Sequence, residues 1–213
     1  MSMLRDTEAS SRRGGGGSSW ARVSTLPVVI AVFVLLNAGY MMLVAFGNIT
    51  DFGTNQAFVQ HVLAMDTTNF GAEPGTGLDP DVMWRAIHSE VLQNLGYILI
   101  IIWESAAAVA LIAAFVLWIT ERGTAYHRAR ALSTIGLLMI VLLFVGGFIV
   151  IGGEWFQMWK SVEWNGLDTA FRNIAIASIP LILIHLPSSI WQRADNPALK
   201  TGTPAHLAVA PPA

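Results

Sequence analysis

The sequence predicts an all-α membrane protein, a four-transmembrane-helix bundle with two elaborated extracytoplasmic loops. Two observations carry this. Charged residues make up 12% of the 213 and apolar residues 54%, whereas an ordinary soluble domain is about 25% charged. The apolar residues also come in long runs, with the charges gathered between them.

A helix needs roughly 20 apolar residues to cross a hydrocarbon core of about 30 Å. Four runs approach or exceed that length: 26–46, 95–119, 131–151 and 174–190. They are apolar all round, without the polar stripe that a helix on a water-soluble core requires. The fourth run is short and contains Pro180, which removes one helical hydrogen bond and predicts a kink. The first run has the basic flank of a secretory signal, but it is longer than the roughly 7–15 residues of such a segment and no small-x-small site follows. It is therefore read as a retained helix.

Lys and Arg set the orientation. Arg5, Arg12, Arg13 and Arg22 precede the first span, Arg122, Arg128 and Arg130 lie between the second and third, and Arg193 and Lys200 follow the fourth. The other two loops hold only Arg85, Lys160 and Arg172. The expectation is a multi-pass protein of a bacterial cytoplasmic membrane with both termini in the cytoplasm. Trp20, Trp118 and Trp191 would then anchor the inner interface, and Trp155, Trp159 and Trp164 the outer one. The Gly/Ser-rich residues 1–22 and the Ala/Pro/Thr-rich residues 193–213 have linker composition and predict disordered tails around the 23–192 transmembrane domain.

The loops carry the unusual sequence. A short helix is expected from Asn55 to Asp66, capped by Thr54, with Phe58, Val59, Val62, Leu63 and Met65 as its apolar face. Gly152 and Gly153 suit the left-handed C-cap of the third helix. Both halves of the chain read in–out–in, which permits a two-fold repeat. No residue-level match establishes one.

A string of motifs runs through the chain. Asn48-Ile-Thr-Asp51, Asn55, Phe58-Val-Gln-His61 and Met65-Asp66 come first, then Trp84-Arg85 and Tyr97 to Trp103-Glu104. Gly152-Gly-Glu-Trp-Phe156, Met158-Trp159, Trp164-Asn-Gly166 and Ala170-Phe-Arg172 close it. Over residues 26–192 this order resembles a bacterial family of predicted small integral membrane proteins, domain of unknown function 2165. The resemblance implies four helices in the inner membrane and assigns no catalytic residue. Lys160 departs from it, standing where glutamine is expected.

Glu104 is the first chemical candidate. It sits inside the second span, about 14 Å from that run's outer end at 1.5 Å per residue, where a carboxylate is costly unless paired or protonated. By the same count, Asn37 lies at similar depth and His185 about one turn deeper, so the three are expected to form an intramembrane polar cluster. Such a cluster serves either a proton or cation site or helix–helix hydrogen bonding. His61 and His88, with Asp51 and Asp66, have the ligand types of a metal site but lack a tight spacing motif. The outer-loop candidates are Asn48, Asp51, His61, Asp66, Arg85, Glu154, Trp155, Trp159 and Arg172, with Glu154 and Arg172 expected to pair.

No cysteine occurs, which excludes disulfides, thiol redox chemistry and thiolate metal sites. The net charge of −2 gives no footprint for nucleic acid. The partners expected are the lipid bilayer and another membrane protein or a second copy, and no cofactor is expected. Three functions remain. The leading one is an accessory or scaffold protein with an extracytoplasmic docking surface, in keeping with the Trp-rich outer loop. The alternative is a small proton- or cation-coupled transporter or channel using Glu104. The third is a membrane enzyme with an outer-face metal site, although nucleotide motifs, clustered nucleophiles and a complete metal motif are missing.

Overall fold

A computed structural model describes residues 25–122 and 125–191. The expected tails, 1–22 and 193–213, lie outside them. Among the described residues, four helices are long and apolar enough to cross a membrane. These are α1 (Leu26–Thr50), α3 (Glu90–Thr120), α4 (His127–Val141, continued by a π-helical segment Leu142–Trp155) and α5 (Leu167–His185). A shorter helix, α2 (Phe52–Ala64), follows α1. Helix α1 packs on α3, α3 on α4, α4 on α5, and α5 closes the ring on α1.

The helices outrun the apolar stretches in the sequence. Apolarity marks the part of a helix that lipid covers, while backbone hydrogen bonding continues past it. Thus α3 starts at Glu90 and takes in Gln93 and Asn94 before the apolar run begins. Helix α5 starts at Leu167, seven residues before the expected span, and ends at His185 rather than at residue 190. Pro180 lies inside it.

Gly152 and Gly153 do not end the third span. Both lie inside the π-helical segment, and neither takes a positive φ. The amide of Phe156 donates to the Ile151 carbonyl at 3.0 Å, an i→i−5 bond. π-Helical turns are rare and concentrate at functional sites, and this segment walls both cavities described below.

The packing suits lipid rather than water. Large apolar side chains such as Leu36, Leu43, Phe46, Ile49, Val109 and Val116 point outward and are exposed, while small residues fill the interfaces. Ala38, Ala107, Ala108, Ala114, Ala129, Ala170 and Ala177 are buried. In a bilayer, helices associate through close packing because lipid tails are as apolar as leucine, and small residues permit the approach. A second, smaller core forms at the α2 end from Val62, Met65, Phe156 and Met158, with Phe58, Leu63, Ile87 and Trp164 around it. The face of α2 expected to be apolar therefore packs into a cap on the bundle. Backbone bonds tie the cap together: Ile87 N to Leu63 O at 2.8 Å and Phe70 N to Lys160 O at 3.1 Å.

The tryptophans divide. Trp118 and Trp191 are buried and pack with Tyr126 at the end opposite the cap, so they are core residues rather than interfacial anchors. Trp155 and Trp159 are exposed at the cap end.

Candidate functional site

Glu104 is buried on α3, and its carboxyl partner is Asn48. The Asn48 Nδ2 donates to Glu104 Oε2 at 2.7 Å. Asn55, on the first turns of α2, donates from Nδ2 to Asn48 Oδ1 at 2.6 Å. Two amides are thus strung in series with both donors directed toward the carboxyl. Bonds polarised in one direction reinforce each other where water is scarce. Glu104 Oε1 accepts no hydrogen bond among the described residues.

These groups line a cavity of about 360 Å³. Helices α1, α2, α3, the π-helical segment and α5 all contribute walls. Glu104, Asn48, Tyr97 and Asn173 are its buried polar residues, and Asn55, Asn165 and Thr169 are exposed around it. Phe58, Phe144, Phe148, Ile100 and Val44 supply apolar wall. Among the described residues, the Tyr97 hydroxyl and Asn173 Nδ2 are buried without a hydrogen-bond partner. Unpaired buried polar atoms are uncommon, and each calls for a physical reason. Among the described residues, Glu104 is the cavity's lone carboxyl and no Lys, Arg or His lines it. The chamber thus presents one carboxyl and several hydrogen-bonding groups, with no fixed positive charge to offset an anion.

The expected cluster of Glu104, Asn37 and His185 is not what the fold assembles. Asn37 donates to its own helix at Phe33 O, 2.9 Å away. It lies eleven residues before Asn48, about 16 Å along α1. His185 Nδ1 donates to Leu181 O at 2.9 Å and is exposed at the far end of α5. It lies twelve residues past Asn173, about 18 Å away. Depth counted from apolar runs misled because the outer ends of those runs are not level: Asn48, two residues past the first run, meets Glu104, nine residues beyond the start of the second. Asn48 takes the role expected of Asn37. Tyr97, Asn165, Thr169 and Asn173 were not among the candidate site residues, although Tyr97 and Asn165 fall within the motifs that carry the family resemblance. A polar residue every few positions at a helix's outer end was the available signal.

The loop candidates go elsewhere. His61 Nδ1 lies 2.9 Å from Asp66 Oδ1, and its ring stacks on Trp164 at 4.6 Å. His88 is exposed. Among the described residues no group of three or more His, Asp or Glu gathers as a metal site would require. Asp51 stands at the N-cap of α2, where its Oδ2 accepts from Thr54 Oγ1 at 2.8 Å. Thr54 thus lies within the helix instead of capping it. Arg85 lies against the rings of Trp84 and Trp155, at 5.5 and 5.1 Å, and donates to Trp155 O at 3.4 Å. Lys160 lies over Trp159 at 5.4 Å. Arg172 donates to Thr169 Oγ1 at 2.9 Å and makes no ion pair with Glu154.

The family model for predicted small integral membrane proteins, domain of unknown function 2165, matches residues 26–187. The chain belongs to this family. The match runs from the first residue of α1 past the end of α5, so the whole chamber lies inside the family's own region. No curated protein and no solved structure matches the chain. This family member is accordingly an integral membrane protein of four apolar helices.

Proposed function

We propose that this protein binds a small cationic or hydrogen-bond-donating solute in the chamber around Glu104, as the recognition site of a receptor or transporter. One observation carries the reading. A carboxyl with an unused oxygen, a tyrosine hydroxyl and an asparagine amide, the last two without partners, line one cavity. Its volume falls within the roughly 300–1,000 Å³ of small-molecule sites. The asymmetry of Lys and Arg supports a chamber on the extracytoplasmic side of a bacterial inner membrane, with both termini in the cytoplasm. The test is binding of small ammonium compounds to purified protein, followed by the thermal unfolding midpoint. Saturable stabilisation that Glu104→Gln removes supports the proposal. A midpoint unmoved by every cation, or moved equally in the variant, rejects it.

A second reading, docking of a partner protein on the cap, is favoured by the Trp84–Arg85–Trp155 stack, where Trp84 is 70% exposed. Exposed aromatic and arginine side chains are frequent interface anchors. Trp84→Ala with Trp155→Ala should then release a defined co-purifying subunit while leaving ammonium binding intact.

A further inference from the structure

A second cavity, of about 230 Å³, adjoins the first. Phe58, Val59, Ile100 and Phe148 line both. Among the described residues, no polar side chain lines the second one. Its room comes from glycines: a Cβ on Gly96 or Gly147 would meet only Leu63 or Leu143, at 3.8 or 3.7 Å. Ile151, on its wall, is half exposed on the lipid-facing side of the bundle. An apolar recess bordering a polar chamber has the two-part chemistry of an amphiphile.

The polar side narrows the head group. Glu104 Oε1 is open to the chamber and can accept from a donor, and its negative charge when ionised prefers a cationic one. Among the described residues Asn173 Nδ2 is a buried donor without an acceptor, which a ligand oxygen would satisfy. With no basic residue among the described residues of the chamber wall, burying a phosphate or carboxylate head beside Glu104 is unfavourable. Resting on the cation-binding reading above, we infer that the ligand is a single-chain amphiphile whose head joins a protonated amine to a neighbouring hydroxyl. The amine meets Glu104, the hydroxyl meets Asn173, and the alkyl chain occupies the glycine-lined recess.

The test measures dissociation constants by native mass spectrometry of the full-length protein released from a sugar-headed detergent. The probes are 2-aminododecan-1-ol, its short analogue 2-aminobutan-1-ol, dodecylamine and dodecanoic acid. The long amino alcohol should bind at least about tenfold tighter than the short one, since each buried methylene adds to affinity. Gly147→Leu fills the recess and should erase that difference while sparing the short probe. Asn173→Ala leaves the carboxyl in place and should erase the preference for the amino alcohol over dodecylamine. Dodecanoic acid should not compete. Equal affinity of long and short probes, or indifference to Gly147→Leu, overturns the amphiphile inference and leaves the cation site standing. If neither amine binds, or Glu104→Gln binds both as wild type does, the cation site falls too.

Discussion

Asn55 holds Asn48, and Asn48 holds Glu104, so the carboxyl in the bundle is steered from a helix in the cap. The two amides are not equal. Asn48 is buried and Asn55 exposed. Asn48→Ala strips a buried carboxyl oxygen of its partner and should cost about 1–3 kcal/mol, the usual penalty for orphaning a buried polar group. Asn55→Ala leaves Asn48 Oδ1 near a rim that water reaches and should cost less, about 1 kcal/mol or below. Thermal unfolding in detergent checks the order. Equal losses would mean that the chain of amides is not anchored at Glu104.

Gly166 should control the shape of the chamber. A Cβ there would come within 2.9 Å of Phe58 and 3.2 Å of Phe148. These rings stand 6.1 Å apart and line both cavities. Gly166→Ala must push one ring aside. We expect a loss of about 1–3 kcal/mol from overpacking, together with altered ligand affinity. An unfolding midpoint and affinities equal to wild type would show that the wall yields freely.

The bundle was legible because lipid imposes a length and a composition on anything that crosses it, and four such runs stood out. The site was legible only in part. Glu104 announced itself as an acid within an apolar run. Its true neighbours did not, because Asn48, Tyr97 and Asn173 lie where polar residues at a helix end look ordinary. Their convergence depends on how α1, α3 and α5 are staggered along one another, which the apolar runs do not record. The π-helical continuation of α4 was invisible for a related reason: Gly152-Gly153 reads as a stop signal unless the hydrogen-bond register is known.

At the opposite end, Glu121 replaces the missing side-chain cap of α4. Its Oε2 accepts from the Ala129 amide at 3.1 Å and its Oε1 from Arg128 Nε at 2.6 Å. Burial raises the carboxyl's pKa, but the bonds from Arg128 and the Ala129 amide outweigh it and hold the pKa below the ordinary glutamate value. The folded value is thus lower than the unfolded one. The resulting stability is fully present above the unfolded pKa, about 4.3, and fades as the pH falls through the lowered value. Arg128 is 78% exposed, so solvent screens the ion pair and the backbone cap matters more. Glu121→Gln should lower the unfolding midpoint at pH 7 and narrow its gap to wild type in acid. Arg128→Ala should do less. A gap that persists unchanged at the lowest pH would contradict the assignment.

Gly136 gives the sharpest test of how the helices meet. A Cβ at that position would lie 2.7 Å from both Cδ2 and Cγ of Leu111, which is fully buried on α3. The contact reaches the branch point of the side chain as well as its tip, so turning χ2 alone does not relieve it. Either Leu111 must change χ1 inside a packed interface or α3 and α4 must separate. Gly136→Ala would ordinarily favour a helix by roughly 1 kcal/mol. Here the clash should win and destabilise the bundle by about 1–3 kcal/mol. Pairing Gly136→Ala with Leu111→Ala should recover part of that loss, because the second substitution vacates the space the first one needs. Unfolding midpoints of the two single variants and the double variant form a cycle. Strict additivity would mean that the two residues do not touch.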